Sequence, residues 1–275
     1  MIQYCTVDGY SIAYARSGKA DGEVMLLVHG ITTYSFIWRK LLPFLEHDYD
    51  VIAVDLLGCG ESDMPLDESY AIKDHAERLY RFMYQLGISR FHFVGHDLGG
   101  GIAQIFAVQH EEMLISLSMI NMVAYDFWPV QPITAMRAPV VRQLLMGALD
   151  LGMLRLFVKA GLYHKERLND ELMDLFWKPL KRREGRKAFM HFARCLDNHN
   201  LMEISDELKL LRVPTLILRG DADPFLGATI AQRLHAGMPD SQLQCIATAS
   251  HYLMEDEPEW AAQQILTFIE ADHAT

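Results

Sequence analysis

The sequence has no run of about 18 uninterrupted apolar residues, the length a helix needs to cross a membrane. No membrane span is therefore expected. Its start, Met1-Ile2-Gln3-Tyr4-Cys5-Thr6, lacks a basic stretch followed by a long apolar core, so no signal peptide is expected either. Cysteine is sparse. The four, Cys5, Cys59, Cys195 and Cys245, are widely spaced and form no CxxC pair. That spacing disfavours a disulfide framework or a zinc site and predicts free thiols in a reducing cytosol. Positive charge is short as well. Lys and Arg number 25 against 36 Asp and Glu, a net charge of −11. An acidic surface argues against nucleic acid or anionic membrane as partner. No internal repeat or low-complexity segment stands out. The expected partner is a small molecule, and the expected state is a monomer or homodimer in the cytoplasm.

What is present is enough apolar chain for a sizeable core: 51% of 275 residues are hydrophobic, which suits one large domain carrying an insertion. The N-terminal third alternates strand and helix signals. Residues 3–7 and 11–16, joined through Asp8-Gly9-Tyr10, read as a hairpin. Residues 24–28 are a short apolar run ending at His29-Gly30, as a buried parallel strand would. A helix at 35–45, a strand at 49–55, a helix at 70–86 ending at Gly87, a strand at 91–94, a helix at 98–110 and a strand at 114–119 follow. From about Tyr125 the pattern breaks. Pro129, Pro132 and Pro139 open a stretch of helical periodicity with no strand signal up to about Leu211. Helices are expected there at 140–151, 154–160, 169–180 and 186–196. The alternation then resumes with a strand at 215–219, a helix at 229–236, a strand at 242–246 and a closing helix at 259–272. The fold class is α/β, a mostly parallel sheet covered on both faces. The core would be 1–124 and 200–275. The helical insertion at 125–199 would sit over the carboxyl ends of the strands, where open sheets bind ligands.

Val94-Gly95-His96-Asp97-Leu98-Gly99-Gly100 carries the chemistry. It follows an apolar strand and precedes a helix, the context of a Gly-x-nucleophile-x-Gly elbow that lifts one side chain above a sheet. The apex is usually serine; here it is Asp97. A carboxylate is a weak nucleophile toward carbonyls, but it opens epoxides or displaces halide from carbon, leaving an alkyl ester on the enzyme. The competing use of Asp97 is to cap the helix starting at Leu98; the flanking glycines favour the elbow. The base should be a histidine past the last strand, which selects His251, near neutral in its titration. The acid orienting it should follow the strand at 215–219. Gly220-Asp221-Ala222-Asp223-Pro224 offers two, and the Gly-x-x-Asp spacing selects Asp223. Asp221 suits turn chemistry before Pro224, and Asp126 is a weaker rival. An oxyanion hole would use the backbone N–H groups of Leu98, after the nucleophile, and Ile31, after His29-Gly30. His29 reads as a brace for its loop. Asp55 and the turn Gly58-Cys59-Gly60-Glu61-Ser62-Asp63 read as scaffold.

These pieces, with Met64-Pro65 and Glu257-Pro258-Glu259, resemble an α/β-hydrolase fold enzyme of the Asp-nucleophile branch over nearly the whole chain. That branch holds haloalkane dehalogenases, fluoroacetate-type dehalogenases and epoxide hydrolases. The segment from His29 to Arg39 is similar to haloalkane dehalogenases. They carry a polar halide contact near position 31 and Trp after the nucleophile, where this chain has Ile31 and Leu98. Fluoroacetate-type enzymes carry Arg at position 98. Epoxide hydrolases carry Pro two residues after His-Gly, where this chain has Thr32, and use cap tyrosines to protonate the epoxide oxygen. The resemblance implies Tyr125 or Tyr163 for that role, or Trp128 and Trp177 as halide donors, each with cap packing as the plainer reading. It implies a hydrolase with no metal or organic cofactor, epoxide opening slightly ahead of dehalogenation. An esterase or C–C bond hydrolase of the same fold, and a non-catalytic ligand-binding member, are the alternatives.

Overall fold

The computed structural model describes residues 1–127, 138, 140, 141, 144 and 152–273. Trp128 and most of the helix expected at 140–151 lie outside the described residues. Strand β1 (Ile2–Val7) turns through Asp8 and Gly9, both at positive φ, into β2 (Tyr10–Gly18). An Asp-Gly pair suits a two-residue turn whose twist matches the strands it joins. The remaining strands are β3 (Val24–Val28), β4 (Asp50–Val54), β5 (Phe91–Asp97), β6 (Leu114–Met122), β7 (Thr215–Gly220) and β8 (Ser241–Ile246). They form one sheet in the order β1-β2-β4-β3-β5-β6-β7-β8. The pairs β1–β2 and β2–β4 are antiparallel and all others parallel. Strands β4 and β5 are buried at every position. The sheet is thus covered on both faces, which is why β4 and the first half of β5 are mostly apolar rather than alternating.

Ten helices accompany the sheet among the described residues. In chain order they are α1 (Leu42–Leu45), α2 (Ile72–Gln85), α3 (Leu98–His110), α4 (Leu154–Ala160), α5 (Asp170–Leu180), α6 (Arg183–Cys195), α7 (His199–Met202), α8 (Ala228–Gly237), α9 (Leu253–Asp256) and α10 (Pro258–His273). Helix α3 packs against β5, β6 and α2, and α10 packs against β7 and α1. The helix expected at 35–45 is instead a 3-10 turn at Ser35–Trp38 followed by α1. Pro43 explains the break: it has no N–H to donate, and its ring clashes with the carbonyl four residues back. The short helices α7 and α9 were not expected, because four residues are too few to show a period. Helix α5 starts where Asn169 caps it, its side chain accepting the Leu172 N–H at 2.8 Å.

Between β6 and β7 the described residues hold helices and turns but no strand. The carboxyl ends of β3, β5, β7 and β8 lead directly into His29-Gly30, Asp97, Asp223 and His251. Parallel strands thus deliver residues far apart in sequence to one edge of the sheet.

Candidate active site

Asp97 ends β5 at φ 54° and ψ −117°. A non-glycine residue at positive φ is strained and persists only where its surroundings impose it. Close approach imposes it here. A Cβ on Gly99 would run into the Val28 carbonyl, and one on Gly30 into the Asp97 carboxylate. Asp97 stands at the N-cap position of α3, yet its side chain makes no capping bond. Its Oδ2 instead accepts the Ile31 N–H at 3.1 Å, and the Leu98 N–H also favours the ionised carboxylate. The residue is 9% exposed. Burial raises its pKa; the His251 charge and the two N–H groups oppose that rise.

His251 Nδ1 lies 3.0 Å from Asp223 Oδ2. With Nδ1–H donating to the carboxylate, Nε2 is the free basic nitrogen. Burial pushes the His251 pKa down, but Asp223, by charge and hydrogen bond, and then Asp97 outweigh burial and leave it raised. Burial pulls Asp223 upward. The His251 charge, that shared hydrogen bond, the Asn121 amide and the Phe225 N–H overcome it and hold the carboxyl at about 2. Asn121 Nδ2 donates to Asp223 Oδ2 at 2.6 Å, and Asn121 Oδ1 accepts the Gly220 N–H at 3.0 Å. The N–H groups of Phe225 and Leu226 donate to Asp223 Oδ1 at 2.8 and 3.1 Å. Asp221 is exposed, 3.6 Å from Arg219 Nε, and Asp126 is exposed, 3.4 Å from Arg233 Nη1. Neither of these rivals bonds His251.

His29 sits as a brace. Its Nδ1–H donates to the Gly30 carbonyl at 2.7 Å, and its Nε2 accepts the Leu56 N–H at 3.0 Å. Asp55 is scaffold, accepting the N–H groups of Ser35 and Glu61 at 2.7 and 2.9 Å. Two neighbours were not foreseen. Asn121 is a polar residue near the end of the apolar strand β6, a signal available in the sequence. Tyr252 is fully buried, and its hydroxyl lies 3.2 Å from Thr32 Oγ1. Only the folding of residues 220 apart reveals that pair.

An open apolar pocket adjoins this cluster. Ile31, Thr32 and Thr33 line one side with Cys59; Leu154, Phe157, Phe176, Leu180, Phe189 and Phe192 line the other. Asp97 and His251 are not among its lining residues; Ile31, whose N–H bonds Asp97, joins the two. The tyrosines expected to face substrate do not line it. Tyr125 is buried with its hydroxyl 3.5 Å from the Arg233 carbonyl and the Arg233 guanidinium 3.9 Å from its ring centroid. Packing against α8 has taken that side chain. Tyr163 is exposed; its backbone N–H donates to Asp256 at 2.8 Å and its ring packs edge-on against His164. Trp177 is half-buried on α5, while Phe176 and Leu180 of the same helix reach the pocket. Trp128 lies outside the described residues.

The chain is 25% identical over 277 residues to the uncharacterized hydrolase YugF of Bacillus subtilis, covering 98% of this chain and 97% of that protein. It is 27% identical over 282 residues to epoxide hydrolase 3 of Xenopus tropicalis, covering 96% of this chain and 76% of that one. The haloalkane dehalogenase DbeA from Bradyrhizobium elkani superposes with a TM-score of 0.88 at 23% identity, over 100% of this chain and 99% of that one; that likeness speaks to the fold alone. The family model of the α/β hydrolase fold matches residues 23–258, from the first parallel strand to the start of α10, and the chain belongs to that family.

Proposed function

We propose that this protein is a hydrolase that attacks a saturated carbon of a small organic substrate with Asp97, in the manner of epoxide hydrolases and haloalkane dehalogenases. One observation carries the reading: the strained apex beside the His251–Asp223 pair bears a carboxylate, not a hydroxyl. Asp97 forms an alkyl-enzyme ester. His251, oriented by Asp223, then takes a proton from water, and the hydroxide attacks the ester carbonyl. The N–H groups of Ile31 and Leu98 stabilise the resulting oxyanion. No metal or organic cofactor enters these steps. Residues 125–199 act as a cap that shapes the pocket and excludes water. The protein acts in the cytoplasm as a monomer or homodimer.

Epoxides rank ahead of halides on two supports. Ile31 and Leu98 offer no side-chain donor to a halide, and epoxide hydrolase 3 of Xenopus tropicalis is among the relatives. The test is a single turnover in heavy-oxygen water with a panel of epoxides and haloalkanes. An unlabelled product, with the label left in the enzyme, is expected. Label in the product of that first turnover would mean that water attacks the substrate directly, and the covalent reading would fail.

A further inference from the structure

The pocket has almost nothing polar to offer a substrate. Among its described lining side chains, only Thr32, Thr33 and Cys59 carry a hydrogen on oxygen or sulfur. Thr33 Oγ1 already donates to the Gly30 carbonyl at 3.2 Å. Cys59 is a buried thiol, a weak donor at best. Thr32 is different. It directly follows Ile31, whose N–H holds Asp97, and its hydroxyl faces the Tyr252 hydroxyl at 3.2 Å.

The direction of that bond follows from burial. Tyr252 is fully buried, between His251 at 5.0 Å and Phe176 at 5.2 Å between ring centroids. Burial and the nearby carboxylates push its pKa up, so it keeps its proton. A buried hydroxyl that fails to donate costs free energy. If Thr32 were the donor, the Tyr252 hydrogen would need another acceptor, and among the described residues its hydroxyl has no hydrogen-bond partner besides Thr32. If Tyr252 is the donor, both groups are satisfied. The Thr32 hydrogen is then the one left to a ligand, because Thr32 is only half-buried and faces the pocket.

We propose that the Thr32 hydroxyl, set by Tyr252, is the hydrogen-bond donor for the leaving oxygen in the first step, and that substrates pair an apolar body with one acceptor atom, as an epoxide does. The inference rests on the reading of Asp97 as nucleophile. As the bond from Asp97 to the substrate carbon forms, the ring C–O bond breaks and its electron pair passes to the ring oxygen. Thr32 stabilises that oxygen without giving up its proton. The proton that completes the product hydroxyl comes from solvent, and the second step returns one to solvent through His251. Thr32 is here a catalytic residue and Tyr252 a positioning residue. The pair takes over the task for which cap tyrosines were expected.

The test isolates the first step. In a His251→Gln background the ester should persist, so its formation is followed by intact mass with styrene oxide, 1,2-epoxyhexane and cyclohexene oxide. Adding Thr32→Val, which keeps the shape, should slow ester formation on the order of 10²-fold, the effect of losing one oxyanion donor. Thr32→Ser should restore most of the rate. Tyr252→Phe should slow the step in the Thr32 background but add little once Thr32 is Val, a coupling that independent structural damage would not produce. Ester formation in Thr32→Val at the rate of the His251→Gln parent would overturn the inference while leaving the nucleophile in place. No ester from any of the three epoxides would overturn the nucleophile reading and this inference with it.

Discussion

His96 Nε2 lies 2.9 Å from the main-chain carbonyl of His251, so the residue beside Asp97 holds the backbone of His251. The two rings are 4.8 Å apart. Burial, with the His251 charge second, keeps the His96 pKa down at about 3. His96 is therefore neutral wherever the protein works, and Nε2–H is the donor.

Replacing His96 with Phe should leave the His251 carbonyl unpaired in a buried site. The expected cost is about 1–3 kcal/mol of stability. Activity should fall roughly 10-fold through loss of position in His251. Thermal unfolding and steady-state rates check both. Unchanged values in both would show that the bond does not hold the base.

The pH profile carries a sign. The folded pKa of His251 is raised above 6.5, mainly by Asp223 acting against burial. The water-activating form is neutral, so turnover should rise with pH through a midpoint above 6.5. The charged pair also stabilises the fold below the unfolded histidine pKa, and that contribution is lost as pH rises through the folded one. For Asp223, held at about 2, the stabilisation is present above the unfolded carboxyl pKa and is lost as pH falls through the folded value. Asp223→Asn should move the activity limb to lower pH and cut the maximal rate. A limb that stays in place in that variant would assign the titration to another group.

Gly30→Ala probes the close approach. Its Cβ would meet the Asp97 side chain, so the loop must retreat and carry the Ile31 N–H with it. A cost of about 1–3 kcal/mol is expected from the overpacking. Removing one oxyanion donor should also lower the rate on the order of 10²-fold. Full activity with normal stability would mean that the Ile31 N–H is not part of the machinery.

The elbow was legible in the sequence because its signal is local. An apolar strand, two glycines flanking Asp97 and a helix are contiguous, and α3 falls at Leu98–His110 as the pattern predicts. The placement of His251 and Asp223 was legible because parallel topology sets where each strand end must go. The turn at Asp8-Gly9 follows from the positive φ that those residue types tolerate. The break at Pro43 was also readable from a single residue, though the apolar periodicity of 35–45 masked it.

Side-chain direction was not legible. Tyr125 carries a pocket tyrosine's chemistry, but its φ of 55° and the Arg233 guanidinium turn it to α8. Asn121 finds Asp223 across 102 positions, and Thr32 finds Tyr252 across 220. The periodicity of α5 marks a buried stripe, but not that Phe176 reaches the pocket beside Thr32 while Trp177 does not. Sequence therefore determined which elements form and in what order they deliver chemistry to the sheet edge, since propensity, turn residues and strand burial act over a few neighbours. Which polar groups meet was left to tertiary packing, because a hydrogen bond depends on positions within a few tenths of an ångström between segments that only the folded core brings together.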